Sequence, residues 1–225
     1  MRCALPETIR TIDRSSSAPA PLAGIYAIVD RAVSPAPLAL LDAVLGAGIR
    51  LVQYRAKAGV EPDLVRAMHA ATAARGARLI VNDDLGAAML ADGWHAGQED
   101  LAGLDVAALR ARLGPRLFGV SCGVPGEARA AEAFGADYVG VGPFAATGSK
   151  ADAGPAIGEP GLRAVAAATR LPVVAIGGIG LAELDGVVRA GAAMAAVISA
   201  IATAPDPAAA ARALVRRFAE LAPPA

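Results

Sequence analysis

Charged and amide side chains gather in a few short stretches of this chain, each running on from an apolar, β-rich segment. "QYRAK" carries Gln53, Arg55 and Lys57 at alternate positions, which an extended backbone points to one side. "VNDD" adds Asn82, Asp83 and Asp84, "HAGQED" adds His95, Gln98, Glu99 and Asp100, "SCG" adds Ser121, and "GPFAATGSK" adds Thr147, Ser149 and Lys150. Only two of the 21 basic side chains are lysines, Lys57 and Lys150, and both fall in these stretches. A compact ammonium is a good point-charge partner for phosphate oxygens, and Arg55 adds a planar fork that takes two oxygens at once. Three cations exceed what a phosphate monoester needs and suit a diphosphate. Asp83 and Asp100 would repel that ligand unless a divalent cation lay between. Mg2+ binds through one or two carboxylates plus phosphate oxygens and waters, so the two acids predict a Mg2+ site. Asp84 precedes a helical segment starting at Leu85 and is assigned to its N-cap. The competing role for Asp100 is a solvated turn carboxylate.

Two further stretches, "AIGGI" and "ISA", close later β-rich segments. Gly177 and Gly178 let backbone amides approach a ligand, and with Ile198 and Ser199 they predict a phosphate site; the alternative is a tight turn into the next helix. His95 at an inward strand position is read as a hydrogen-bonded core residue beside the site, and His69 as a surface or packing residue of a helix. Trp94 and Tyr54 are read as wall packing or as ligand borders.

The elements that must position these groups alternate. From Gly24 onward, strand candidates at Ile25–Val29, Leu51–Arg55, Arg78–Val81, Gly93–His95, Leu117–Val120, Tyr138–Val141, Val173–Ala175 and Met194–Ile198 are each followed by an Ala/Leu/Arg-rich helical segment. In "GAGIRLV", "ARGARLIV", "AFGADYVGV" and "RAGAAMAAV", a glycine stands between helix and strand, where a left-handed cap is expected. Eight β-then-α units predict a parallel sheet closed as an α/β fold, a single (β/α)8 TIM barrel over residues 23–222, with residues 1–22 as a flexible extension. An open doubly wound sheet would want a Gly-rich turn after its first strand, which "IYAIVDRAVSPAP" lacks. In a barrel the strand C-termini hold the active site, so all the stretches above converge on one mouth.

Composition sets the outer limits. With 55% hydrophobic but only 4% aromatic residues, the 225-residue chain suits Ala/Val/Leu-rich helices packed on strands, and its net charge of zero lacks the basic footprint of a general nucleic-acid binder. Two cysteines, Cys3 and Cys122, give no disulfide framework and fit a reducing cytoplasm. The first 22 residues lack an apolar signal core, and the longest apolar run, Gly191–Ala204, is too short to span a bilayer. The expected partners are therefore small-molecule substrates, with no nucleic acid and no membrane, and a homo-oligomer is left open.

In this order, "LVQYRAK", "VNDD", "ADGWHAGQED", "GVSC", "ADYVGVGPFAATGSK", "VVAIGGI" and "VISAI" resemble the thiamine phosphate synthase family over almost the whole chain after residue 22. The resemblance implies a (β/α)8 barrel that joins a hydroxymethylpyrimidine diphosphate to a thiazole phosphate and releases pyrophosphate with Mg2+. It implies that Gln53, Tyr54, Arg55, Ala56, Lys57 and Asn82 surround the pyrimidine diphosphate and that Asp83 and Asp100 hold Mg2+. Ser121 and Lys150 would contact the pyrophosphate side of the reacting bond and, with Arg55 and Lys57, act catalytically. Thr147, Gly148, Ser149, Gly178, Ile198 and Ser199 would bind the thiazole phosphate. The implied chemistry is dissociative and needs no strong general base, in keeping with the absence of a nucleophile–base pair.

Two positions depart from the family pattern. Gly123 stands where a histidine is common, and Ala146 where a proline is common before the loop Thr. The first disfavours the alternative of a thiazole tautomerase, which uses a histidine in that segment. A Schiff-base aldolase is disfavoured because Lys150 lies in a polar loop, where it stays protonated. A non-catalytic phosphate-binding barrel is disfavoured by the retained Asp83 and Asp100.

Overall fold

A computed structural model describes residues 22–148 and 154–221. Eight strands, β1 (Gly24–Asp30), β2 (Leu51–Arg55), β3 (Arg78–Asn82), β4 (Gly93–Ala96), β5 (Leu117–Cys122), β6 (Tyr138–Val141), β7 (Val173–Ile176) and β8 (Met194–Val197), pair in parallel in sequence order. β8 pairs back onto β1 with Gly24 opposite Met194, which closes the barrel. The helices of the described residues are α1 (Pro37–Gly46), α2 (Pro62–Ala73), α3 (Leu85–Ala88), α4 (Gln98–Leu101), α5 (Val106–Leu113), α6 (Pro125–Ala133), α7 (Gly158–Ala166), α8 (Leu184–Arg189), α9 (Ser199–Ala202) and α10 (Pro207–Leu221). None of them is long and apolar enough to cross a membrane.

Local chemistry accounts for the boundaries. α1, α2, α6 and α10 each begin with proline, whose fixed φ and missing N–H suit the first helical turn. Gly48, Gly76, Gly135 and Gly191, the glycines expected to cap helices before strands, all have positive φ. The segment expected as a helix from Leu85 forms the single turn α3, and the connection from β4 to β5 is split into α4 and α5.

The pleat divides the strand side chains into two apolar layers. Val29, Val52, Tyr54, Val81, Phe118, Val139 and Ala195 face outward and pack against helices in the larger core. Tyr26, Ile28, Leu51, Ile80, Leu117, Tyr138, Val174 and Met194 face inward and fill the barrel. α10 packs on α1, α8 and β1, holding the seam where the barrel closes. A filled interior leaves room for a ligand only where the strands end.

Candidate active site

Two adjoining lobes open there, of about 350 and 120 Å³. Gln53, Arg55, Lys57, Asn82, Asp83 and Asp100 line the smaller lobe, so β2, β3 and α4 bring those sequence-predicted residues together. Thr147, Gly178, Ile198 and Ser199 line the larger one. Gly97, Glu99, Ser121, Gly140, Ile176, Ala196 and Ile198 border both, which puts Ser121 at the junction.

Both cations of the smaller lobe are paired with carboxylates. Arg55 forms an ion pair with Asp30, a carboxylate at the end of β1 that is 1% exposed and also accepts from the Ala32 N–H at 2.9 Å. Lys57 Nζ lies 2.6 Å from Asp83 Oδ2 near the rim. Asp83 takes φ 61°, the one non-glycine residue with positive φ among those described, a region that Asp and Asn tolerate better than other side chains. It is held there by its N–H donating to the His95 carbonyl at 3.0 Å and by Trp94 Nε1 donating to its own carbonyl at 2.9 Å. The neighbouring Asp84 turns away: its Oδ1 accepts from the Ala87 N–H at 2.9 Å and caps α3. The two adjacent acids thus differ in setting: Asp84 caps α3, as its position before the helix suggested, and Asp83 lines the smaller lobe.

Asp100 Oδ2 accepts from the Gly97 N–H at 2.7 Å, so this carboxylate is fixed within its turn while bordering the same lobe as Asp83. Among the described residues, no three or more His, Cys, Asp or Glu gather as a metal site. The donor set fits an ion that takes two carboxylates and completes its shell with ligand oxygens and waters, which is the habit of Mg2+.

Beneath the lobes, inward side chains of five strands are linked. Gln53 Nε2 donates to Tyr26 OH at 3.0 Å, Tyr26 OH lies 2.9 Å from Tyr138 OH, Tyr138 OH lies 3.1 Å from His95 Nδ1, and His95 Nε2 lies 3.0 Å from Ser121 Oγ. Burial pushes the His95 imidazole down to about 4, so it is neutral at pH 7, and pushes both tyrosine hydroxyls above the usual phenol range. From the rim, Gln98 Nε2 donates to the Ser121 carbonyl at 2.6 Å.

In the larger lobe, Gly177 and Gly178 have φ of 94° and 65°. A Cβ on Gly178 would lie 2.5 Å from the Ala146 carbonyl oxygen, and one on Gly177 2.7 Å from Pro143 Cβ. The segment after β6 lies against the end of β7, with the Phe144 and Ala145 N–H groups donating to Ile176 and Gly177 carbonyls at 2.8 and 2.9 Å. Packing of that segment therefore accounts for both glycines, besides any approach of a ligand.

Three of the expected residues line neither lobe. The pleat turns the Tyr54 side chain outward into the helix-facing core, fully buried, with its hydroxyl unpartnered, which fits wall packing rather than a ligand border. Ala56 packs against that same outer core and lines neither lobe, and Gly148 is exposed outside both. Ser149 and Lys150 lie outside the described residues. Asp30, Tyr26 and Tyr138 border or support the site without having been singled out. Asp30 carried a signal, a carboxylate ending the first strand "IYAIVD" like the acids that end the third.

The sequence profile of the thiamine monophosphate synthase family matches residues 25–201. A thiamine-phosphate synthase of Moorella thermoacetica is 48% identical over 183 residues, 79% of this chain and 86% of that protein. The thiamine biosynthesis bifunctional protein ThiM/ThiE of Symbiobacterium thermophilum is also 48% identical over 197 residues, 85% of this chain; the chain spans only 40% of that longer protein. Among solved structures, thiamine phosphate pyrophosphorylase from Pyrococcus furiosus superposes with a TM-score of 0.80 at 30% identity, covering 89% of this chain and 97% of that one.

Proposed function

The chain belongs to the thiamine monophosphate synthase family, and on that premise we propose how its two-lobed cavity works as a thiamine-phosphate synthase. This transferase joins 4-amino-2-methyl-5-hydroxymethylpyrimidine diphosphate to 4-methyl-5-(2-phosphooxyethyl)thiazole, giving thiamine phosphate and pyrophosphate. The observation that carries the assignment of lobes is their unlike lining: Arg55 and Lys57 with Asp83 and Asp100 in the smaller, Gly177, Gly178 and a serine-led helix start in the larger, which has no Lys or Arg among its described lining residues; Glu99 borders both and Glu127 the larger. The diphosphate belongs with the former and the thiazole phosphate with the latter, so the pyrimidine methylene and the thiazole nitrogen meet at the junction beside Ser121.

The reaction is dissociative. The methylene carbon–oxygen bond breaks, the bonding pair leaves with pyrophosphate, and the aminopyrimidine stabilises the cation until the thiazole nitrogen lone pair closes the new bond. Arg55 and Lys57 bind the departing oxygens, a role the family resemblance also implies for Lys150, and Asn82 and Gln53 orient the substrate. Preorganised charge of this kind acts on the bond that is breaking and requires no general base. Asp83 and Asp100 would hold Mg2+, which supplies further neutralisation of the diphosphate charge. The apolar walls Ile176, Ala196 and Ile198 exclude water that would otherwise capture the cation. Small phosphorylated substrates are consistent with a cytoplasmic enzyme.

A tautomerase reading is not favoured, because Gly123 supplies no acid or base and the relative from Moorella thermoacetica, matched over 86% of its length, is a thiamine-phosphate synthase. The test is direct: purified protein given both substrates and Mg2+ should form thiamine phosphate. Absence of product above the no-enzyme background would falsify the reading.

A further inference from the structure

The buried line from Gln53 to Ser121 has a direction, and we propose that it makes Ser121 a hydrogen-bond donor into the junction of the lobes, with Tyr26, Tyr138 and His95 as its positioning residues. The bonds run at 3.0, 2.9, 3.1 and 3.0 Å through side chains from β2, β1, β6, β4 and β5 in turn. An amide nitrogen only donates, so Gln53 Nε2 gives a hydrogen to Tyr26 OH. The single hydrogen of Tyr26 then goes to Tyr138 OH, the other neighbour in hydrogen-bond reach, and that of Tyr138 goes to His95 Nδ1. With Nδ1 accepting, the ring hydrogen sits on Nε2 and is donated to Ser121 Oγ. The serine's own hydrogen is left for the cavity that Ser121 borders.

With Gln53 Nε2, rather than its Oε1, turned to Tyr26, the reverse order fails on one atom. If His95 Nδ1 donated to Tyr138 and Tyr138 to Tyr26, the Tyr26 oxygen would accept twice and its own hydrogen would have no acceptor. Tyr26 is 1% exposed, and its hydroxyl has only Tyr138 OH and Gln53 Nε2 as partners among the described residues. A buried donor left unmade disfavours that arrangement by roughly tenfold or more.

The barrel gives up wall side chains to house this line. Inward strand positions are normally filled, yet β5 and β6 carry Gly119 and Gly140 there. A Cβ on Gly119 would lie 2.1 Å from Tyr138 Cζ and 2.5 Å from His95 Nδ1, and one on Gly140 3.1 Å from His95 Cε1. Gly119 is therefore required by the rings rather than by a turn, and a side chain at Gly140 would press the imidazole aside by a few tenths of an ångström. In the reaction proposed above, on which this inference rests, a hydroxyl that donates binds an oxygen of the departing pyrophosphate, whereas one committed to His95 would present only lone pairs to it.

The test has a structural and a kinetic arm. The chain has two histidines, and His69, which pairs with Asp92 away from both lobes, can be changed to Gln to leave one. Nitrogen-15 NMR of histidine-labelled His69→Gln protein at neutral pH should find Nε2 protonated and Nδ1 bare. The opposite tautomer, or an imidazolium, overturns the direction whether or not the protein turns over. For the kinetic arm, Tyr138→Phe should lower kcat about tenfold with KM nearly unchanged, and should cost less than twofold more when added to Ser121→Ala. Losses that multiply in the double variant, or a loss confined to KM, would show that Tyr138 does not act through Ser121. An inactive parent enzyme would count against the synthase reading while leaving the NMR result to decide the direction.

Discussion

Adjacent carboxylates with unlike surroundings allow one substitution to be made twice. Asp83→Asn keeps the size of the side chain and its tolerance of the left-handed backbone, while removing the charge that faces Lys57 and the smaller lobe. The folded state loses only the Lys57 pair, whose side chains are 54% and 31% exposed, a contact worth about 0.2–1 kcal/mol. Asp84→Asn keeps the cap, because an Asn side-chain oxygen accepts the Ala87 N–H as well as a carboxylate does. Both variants should therefore melt within about 3 °C of the parent at this domain size. Their rates should separate: Asp83→Asn should slow single-turnover formation of thiamine phosphate roughly a hundredfold or more and raise the Mg2+ needed, the scale of deleting one preorganised electrostatic group. Asp84→Asn should stay within about twofold of the parent, within the near-equivalence of the two caps. Asp84→Ala, which does remove the cap, should lose about 1 kcal/mol of stability with its rate kept. Equal rate losses at the two positions, or a loss below tenfold for Asp83→Asn at saturating Mg2+, would refute the division into pocket acid and cap.

Three further outcomes follow from the same contacts. The unfolded chain protonates a histidine near 6.5, but folded His95 resists until about 4, so the unfolded state gains as pH falls through that window. Between pH 6.5 and 5 the parent should lose about 2 kcal/mol from this source in metal-free denaturant titrations, and a His95→Asn variant showing the same slope would contradict it. Tyr54→Phe removes a buried hydroxyl without a partner, so it should leave turnover unchanged and keep or raise stability by about 1 kcal/mol; a loss of activity would return Tyr54 to the site. Asp30→Asn leaves Arg55 without its buried counter-charge, and should lower thermal stability by about 2 kcal/mol, discounted for the partial exposure of Arg55. Added pyrophosphate should recover part of that loss, and its failure to do so would argue against an anion at Arg55.

What could be read from the chain, and what could not, follows from the range of each rule. Alternation along a strand is local, so "QYRAK" was enough to put Gln53, Arg55 and Lys57 in one lobe, and the same rule read strictly turns Tyr54 outward. Helix capping is local too, which is why Gly48, Gly76, Gly135 and Gly191 and the cap at Asp84 were legible. The line from Gln53 to Ser121 was not. It joins residues up to 112 positions apart, and which inward side chains meet depends on the stagger of the closed barrel, a quantity fixed by all eight strands together. Gly119 and Gly140 were the trace it left in the sequence, since glycine inside a strand asks what approaches there.

The two ion pairs of the smaller lobe differ in a way that bears on how it receives an anion. Asp30 is buried and tied to the Ala32 N–H, and the Arg55 side chain is only 16% exposed, so separating them would leave a charge in the barrel without a partner. Arg55 is thereby a fixed fork whose remaining nitrogens are available at a set angle. Lys57 and Asp83 face each other half in water, where parting them costs at most about 1 kcal/mol. In the reaction proposed above, an incoming diphosphate takes the ammonium and frees the Asp83 carboxylate, in the lobe that Asp100 also lines, for a cation. On this arrangement anion and metal favour each other's binding, because each takes one half of a pair that neutralises itself when the lobe is empty.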